Sequence, residues 1–124
     1  MKRSTLLGSA LILLGLDAIY LSSTKKMMFD QIVSVQKFAA NIKIHAAIAC
    51  YILLFIGLYN FVLKMRRPPL DAFVLGIVIY GVFETTNHAI FKNWKNSTVF
   101  IDTLWGGVLL GLTTFLTYKL DRLL

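Results

Sequence analysis

Residues 70–91 read LDAFVLGIVIYGVFETTNHAIF, and their two halves make different demands. No residue from Ala72 to Phe83 carries a charge. The whole stretch meets the ~20 residues that a helix needs to cross ~30 Å of hydrocarbon. In lipid, backbone polar groups must be satisfied within the segment, so a helix is the reading the physics allows. The run then closes on Glu84, Thr86, Asn87 and His88. Glu84 and His88 stand four apart and Glu84 and Asn87 three apart, which puts all three on one helix face. A membrane helix that gathers polar groups on one face near its end needs somewhere to point them.

Three further apolar runs surround this one, at about 5–22, 43–63 and 99–119. Turn signals separate them. KMRRPP at 64–69 joins two prolines to three basic residues, and KNWKNS at 92–97 interrupts the next pair of runs. The expected fold is all-α: a four-transmembrane-helix antiparallel bundle in one domain over residues 1–124. Composition agrees, with 57% hydrophobic and 15% charged residues and a mean hydropathy of +0.71, outside the range of soluble domains. The opening MKRSTLLGSALILLGL also has the basic start and apolar centre of a signal peptide. DAIYLSS continues the run where a cleavage site would fall, which favours a retained helix.

Between the first two runs, Met28, Ile32, Val35, Ala39 and Ile42 recur at alternating intervals of four and three. That spacing predicts an interfacial amphipathic helix within residues 25–42, with an irregular polar loop as the alternative. The net charge of +7 is distributed between the apolar runs and lacks interleaved aromatics. It points to a lipid bilayer as partner rather than to nucleic acid. Seven basic residues fall on the side of the termini and six on the other. The compact Lys64–Arg67 turn favours cytoplasmic termini. Cys50, the single cysteine, is expected to be a small buried hydrophobe.

Antiparallel geometry gathers the polar residues. Asp17, His45, Glu84, Asn87, His88 and Asp102 all fall toward the side of the first and third connections. At ~1.5 Å per residue they lie within roughly 3 to 11 Å of one membrane face. Trp105 and Gly106 share a face with Asp102, and Gly81 could admit a neighbouring helix closely. Trp94, Trp105, Tyr20 and Tyr118 near the run ends fit interfacial anchoring. The glycines of GGVLLG, 106–111, suit a packing seam.

LDAIYL, AAIACYILLFIGLYNFV, GVFETTN with Trp94 following, and FIDTLWGGVLLGLTTFLTY resemble the small membrane proteins of domain-of-unknown-function family 2177. The resemblance covers most of the chain and implies a four-helix integral membrane protein, found in bacteria or encoded by large DNA viruses. The membrane would accordingly be a bacterial inner membrane, or a host or virion membrane. It implies a motif set. An acidic residue in the first helix is matched by Asp17, and a following aromatic by Tyr20, where tryptophan is usual. An acidic-x-Thr-Asn motif is matched by Glu84, Thr86 and Asn87, with Glu in place of Asp. An Asp-x-x-Trp-Gly motif is matched by Asp102, Trp105 and Gly106. His45 and His88 fall outside that pattern. The resemblance carries no biochemical activity.

The candidate intramembrane pocket therefore comprises Asp17, Glu84, Thr86, Asn87, Asp102 and Trp105, with His45, His88 and Tyr20 as further members. Its oxygen and nitrogen groups could ligate a divalent cation, but their spacing matches no metal motif such as His-Glu-x-x-His, and no metal or cofactor is called for. Acidic groups inside a bundle also suit binding or movement of an ion, small molecule or lipid. Transport through so small a bundle would call for a homo-oligomer. A lipid-directed enzyme using a carboxylate as acid or base is a further reading, although no nucleophile–base pair is recognisable. The remaining reading is structural: a hydrogen-bonded network that fixes helix packing.

Overall fold

The computed structural model describes residues 1–36 and 43–124. Four helices account for most of them: α1 (Arg3–Gln36), α2 (Ile44–Leu58), α3 (Pro69–Ile90) and α4 (Asn96–Leu123). Each, with α2 extended to Leu63, is long and apolar enough to cross a membrane. Large apolar side chains such as Leu7, Leu11, Leu53, Phe61 and Phe100 are more than half exposed around the outside. A soluble domain does not sustain such a surface, whereas lipid matches it.

The first helix runs further than its apolar run. Ser22 to Met28 contains neither glycine nor proline, and the Ser23 and Thr24 hydroxyls donate back to the Ile19 and Tyr20 carbonyls, each at 2.9 Å. With its polar side chains satisfied internally, the helix has no reason to stop. Residues 25–36 are thus helical as a continuation of α1, not as a separate interfacial helix. The rest of that expected helix, 37–42, lies outside the described residues. At 1.5 Å per residue the 34 residues of α1 span about 51 Å, so one end projects beyond a ~30 Å hydrocarbon core.

After Leu58, α2 widens into a π-helical turn at Tyr59–Leu63. There the Lys64 and Arg67 amides reach five residues back to the Tyr59 and Val62 carbonyls, at 2.8 and 2.9 Å. Arg66 then takes a left-handed conformation (φ 51°), and extended Pro68 precedes Pro69 in the first turn of α3. The KMRRPP segment is therefore the sharp turn its composition calls for. Arg66 pairs with Asp121 of α4 and Arg67 with Asp71, closing the end of the bundle that holds the termini.

The closest helix pair is α3 with α4. A Cβ added to Gly76 would overlap the Gly106 carbonyl, and one on Gly107 would meet Ile77 and Phe73 at 2.8–2.9 Å. Lipid offers no hydrophobic drive between helices, so close backbone approach must supply the packing. Gly81, in contrast, is only in ordinary reach of Thr103, at 3.4 Å. The seam runs through Gly76, Gly106 and Gly107 instead. Beside it, α1 packs antiparallel to α4, with Thr5 bonded to Asp121 and Tyr20 to Asp102, and Thr5, Ser9, Leu13, Thr113 and Thr117 are buried. The hydrophobic core joins Leu13, Leu54, Leu58, Val62, Leu63, Ala72, Leu109 and Leu110 from all four helices.

Candidate functional site: a network of carboxylates and aromatic donors

Three carboxylates from three helices are buried in the same region: Asp17 on α1, Glu84 on α3 and Asp102 on α4, at 6%, 1% and 8% exposure. Those values matter because facing lipid at the membrane centre costs a charged group ~2.5–3.5 kcal/mol or more. All three point into protein. Glu84 and Asp102 lie about six residues inside the ends of α3 and α4 that face the third connection, or about 9 Å. Asp17 sits deeper than the position of its apolar run suggests. It is level with Trp105, about 14 Å inside the start of α4.

Each carboxylate is held by aromatic donors. The Trp105 indole N–H donates to Asp17 Oδ1 at 2.9 Å, and the Tyr51 hydroxyl donates to Oδ2 of the same group. The Tyr20 hydroxyl donates to Asp102 Oδ1 at 3.0 Å. The Tyr20 ring also stacks on Trp105, with centroids 4.6 Å apart and planes within 4°. The Trp94 indole donates to Glu84 Oε1 at 2.8 Å, and Glu84 neighbours Asp102. One connected network therefore ties α1 to α4 through Asp17 and Tyr20, and α3 to α4 through Glu84. Tyr80 covers its inner end: its ring lies so tightly on Gly106 that a side chain there would overlap it. This packing is why the aspartate-containing turn of α4 is followed by a glycine.

Among the described residues, the ion pairs are Arg66–Asp121 and Arg67–Asp71, both at the opposite end of the bundle. No lysine, arginine or histidine bonds any of the three buried carboxylates among the described residues.

Other residues of the sequence motifs do not join the network. Thr86 is exposed, and Asn87 is half-buried with no side-chain hydrogen bond among the described residues. Of the ETTN segment only Glu84 is buried, and Thr85 and Thr86 fall at other angles around α3. His45 is exposed at the start of α2, away from the network. His88 is exposed too, and its Nδ1 contacts the Trp94 carbonyl at 2.6 Å rather than Glu84. No group of three or more metal-ligating side chains occurs among the described residues. Cys50 is exposed on α2 rather than buried.

Three participants are absent from the sequence-derived set. Trp94 is buried, not an interfacial anchor, because the third connection folds it back over Glu84. Tyr51 sits in the middle of an apolar run, where its hydroxyl requires a partner, and that requirement was the available signal. Gln31 is buried at the projecting end of α1. Its side-chain oxygen accepts from the Lys95 amide at 2.9 Å and the Thr98 hydroxyl at 3.1 Å, and its amide donates to the Asn93 carbonyl. It clamps α1 onto the third connection that carries Trp94. In sequence it lies between Met28 and Val35 on the face read as apolar, which hid it.

Four apolar helices around a buried polar network define a multi-pass, all-helical integral membrane protein. A family model described as "Predicted membrane protein (DUF2177)" matches residues 4–119, and the chain belongs to that family. No curated protein and no solved structure matches it.

Proposed function

We propose that Asp17, Glu84 and Asp102 form a binding site for a small cationic group inside the membrane. The observation that carries this reading is the charge balance: three carboxylates are buried in one network of aromatic donors with no basic side chain bonded to them among the described residues. Buried carboxylates in low dielectric repel one another, so a cation that binds beside them relieves a cost already built into the fold. The neighbouring groups are N–H and O–H donors on aromatic rings, whose faces also attract cations. Both termini lie in the cytoplasm in this reading, on the strength of the Lys64–Arg67 turn, and the site lies toward the opposite membrane face.

Methylammonium titrated calorimetrically into protein reconstituted in nanodiscs tests the proposal. Saturable binding is expected for the wild type. It is expected to vanish in the Asp17→Asn, Glu84→Gln, Asp102→Asn triple variant while helical content is retained. Absence of saturable binding to the wild type would remove the proposal.

A structural reading has one observation in its favour: both oxygens of Asp17 already accept hydrogen bonds, from Trp105 and Tyr51. On that reading the network only fixes helix register. The triple variant then loses stability, and the wild type binds no cation.

A further inference from the structure

Within reach of the network, α2 and α3 do not close on one another. A cleft of about 210 Å³ separates them, lined by Cys50 and Leu54 of α2 and by Ile79, Tyr80 and Phe83 of α3. Its remaining lining residue is Asp102. Cys50, Leu54 and Ile79 also line a wider recess of about 530 Å³, together with Ala46, Ala49 and Leu53. Sequence explains the gap. The HAAIAC segment at 45–50 gives this part of α2 alanines and a cysteine where larger side chains would fill the space. Cys50, Leu53 and Phe83 are exposed, so the recess opens sideways toward the bilayer.

We infer that this cleft admits a single-chain amphiphile with a primary or secondary ammonium head, entering laterally from the lipid. The inference rests on the carboxylate reading above and names the ligand class and its route. Its occupant follows from charge and polarity. The walls, Leu54, Ile79 and Phe83, suit an alkyl chain. At the inner end stands Asp102, backed by Glu84, with no basic side chain bonded to either among the described residues. A phosphate or carboxylate head would meet like charge there. An ammonium head would donate hydrogen bonds to Asp102 and bring the missing positive charge. The chain would then lie between α2 and α3, with its far end in the bilayer.

The single native cysteine lines the cleft and provides a probe that needs no substitution. Wild-type protein in nanodiscs is alkylated with N-ethylmaleimide in the presence of dodecylamine, dodecanol or methylammonium. Dodecylamine at about ten times its Kd should slow Cys50 alkylation about tenfold, because the unoccupied fraction falls by that factor. Dodecanol, with the same chain and no charge, should leave the rate unchanged, and Asp102→Asn should abolish the protection by dodecylamine. Equal protection by dodecanol, or protection that survives Asp102→Asn, would overturn the inference. Calorimetric binding of methylammonium without dodecylamine protection would overturn the lateral route and leave the carboxylate site standing. Failure of both amines would end both readings.

Discussion

Gly76→Ala is expected to destabilise the bundle by about 3 kcal/mol, at the upper end of what one added methyl usually costs in a packed interior. The position leaves no room for compensation. The new Cβ would overlap the Gly106 carbonyl and crowd Gly107 Cα at 2.9 Å. Both are backbone atoms of α4, which cannot rotate away as a side chain can. Relief would require α3 and α4 to separate along the seam, withdrawing Tyr80 from Gly106 and Glu84 from Asp102. Reversible unfolding in mixed micelles measures the loss. Gly15→Ala is the matched control: nothing lies within 4 Å of its added Cβ, and the substitution should raise stability by about 0.4–1 kcal/mol by restricting the unfolded chain. Similar behaviour of the two variants would contradict the seam.

Trp105→Ala should cost about 2–4 kcal/mol. Two losses coincide: the stack on Tyr20, worth about 0.5–1.5 kcal/mol, and the indole hydrogen bond to the Asp17 carboxyl, worth about 1.5–3 kcal/mol. Trp105→Phe separates them, since the ring can still stack but has no N–H to offer. It should recover the smaller part and leave Asp17 one donor short. The same unfolding measurement distinguishes the two variants. A Trp105→Phe protein as stable as wild type would show that the hydrogen bond to Asp17 contributes nothing to the fold.

The helices were readable because each apolar run is long enough to cross a bilayer and is bounded by charge or proline. The burial of Asp17, Glu84 and Asp102 was also implicit, because the cost of facing lipid turns each of them inward. Depth is one coordinate, however, and a side chain's angle around its helix is another. Asn87 shares the broad face of Glu84 yet makes no side-chain bond among the described residues, while Tyr51, from a run with no carboxylate, reaches Asp17. Such pairings depend on how each helix is rotated against its neighbours, which spacing within one helix does not determine. The continuation of α1 past Ser22 is hidden in the sequence for another reason. Hydropathy falls there, but nothing breaks the backbone hydrogen bonding, so the apolar run ends before the helix does. Cys50 is exposed rather than buried: an apolar neighbourhood in sequence does not distinguish a helix face turned to the core from one turned to lipid.

If the three carboxylates act as one site for a cationic group, the chain carries its own reporters of it. It has two tryptophans, and both indole N–H groups donate to these carboxylates, Trp105 to Asp17 and Trp94 to Glu84. Indole resonances of 15N-labelled protein in nanodiscs, followed as methylammonium is added, report both ends of the network at once. Both peaks are expected to move and saturate along one binding curve, and Asp102→Asn is expected to abolish the movement. Peaks that stay fixed, or drift in proportion to concentration without saturating, would contradict it.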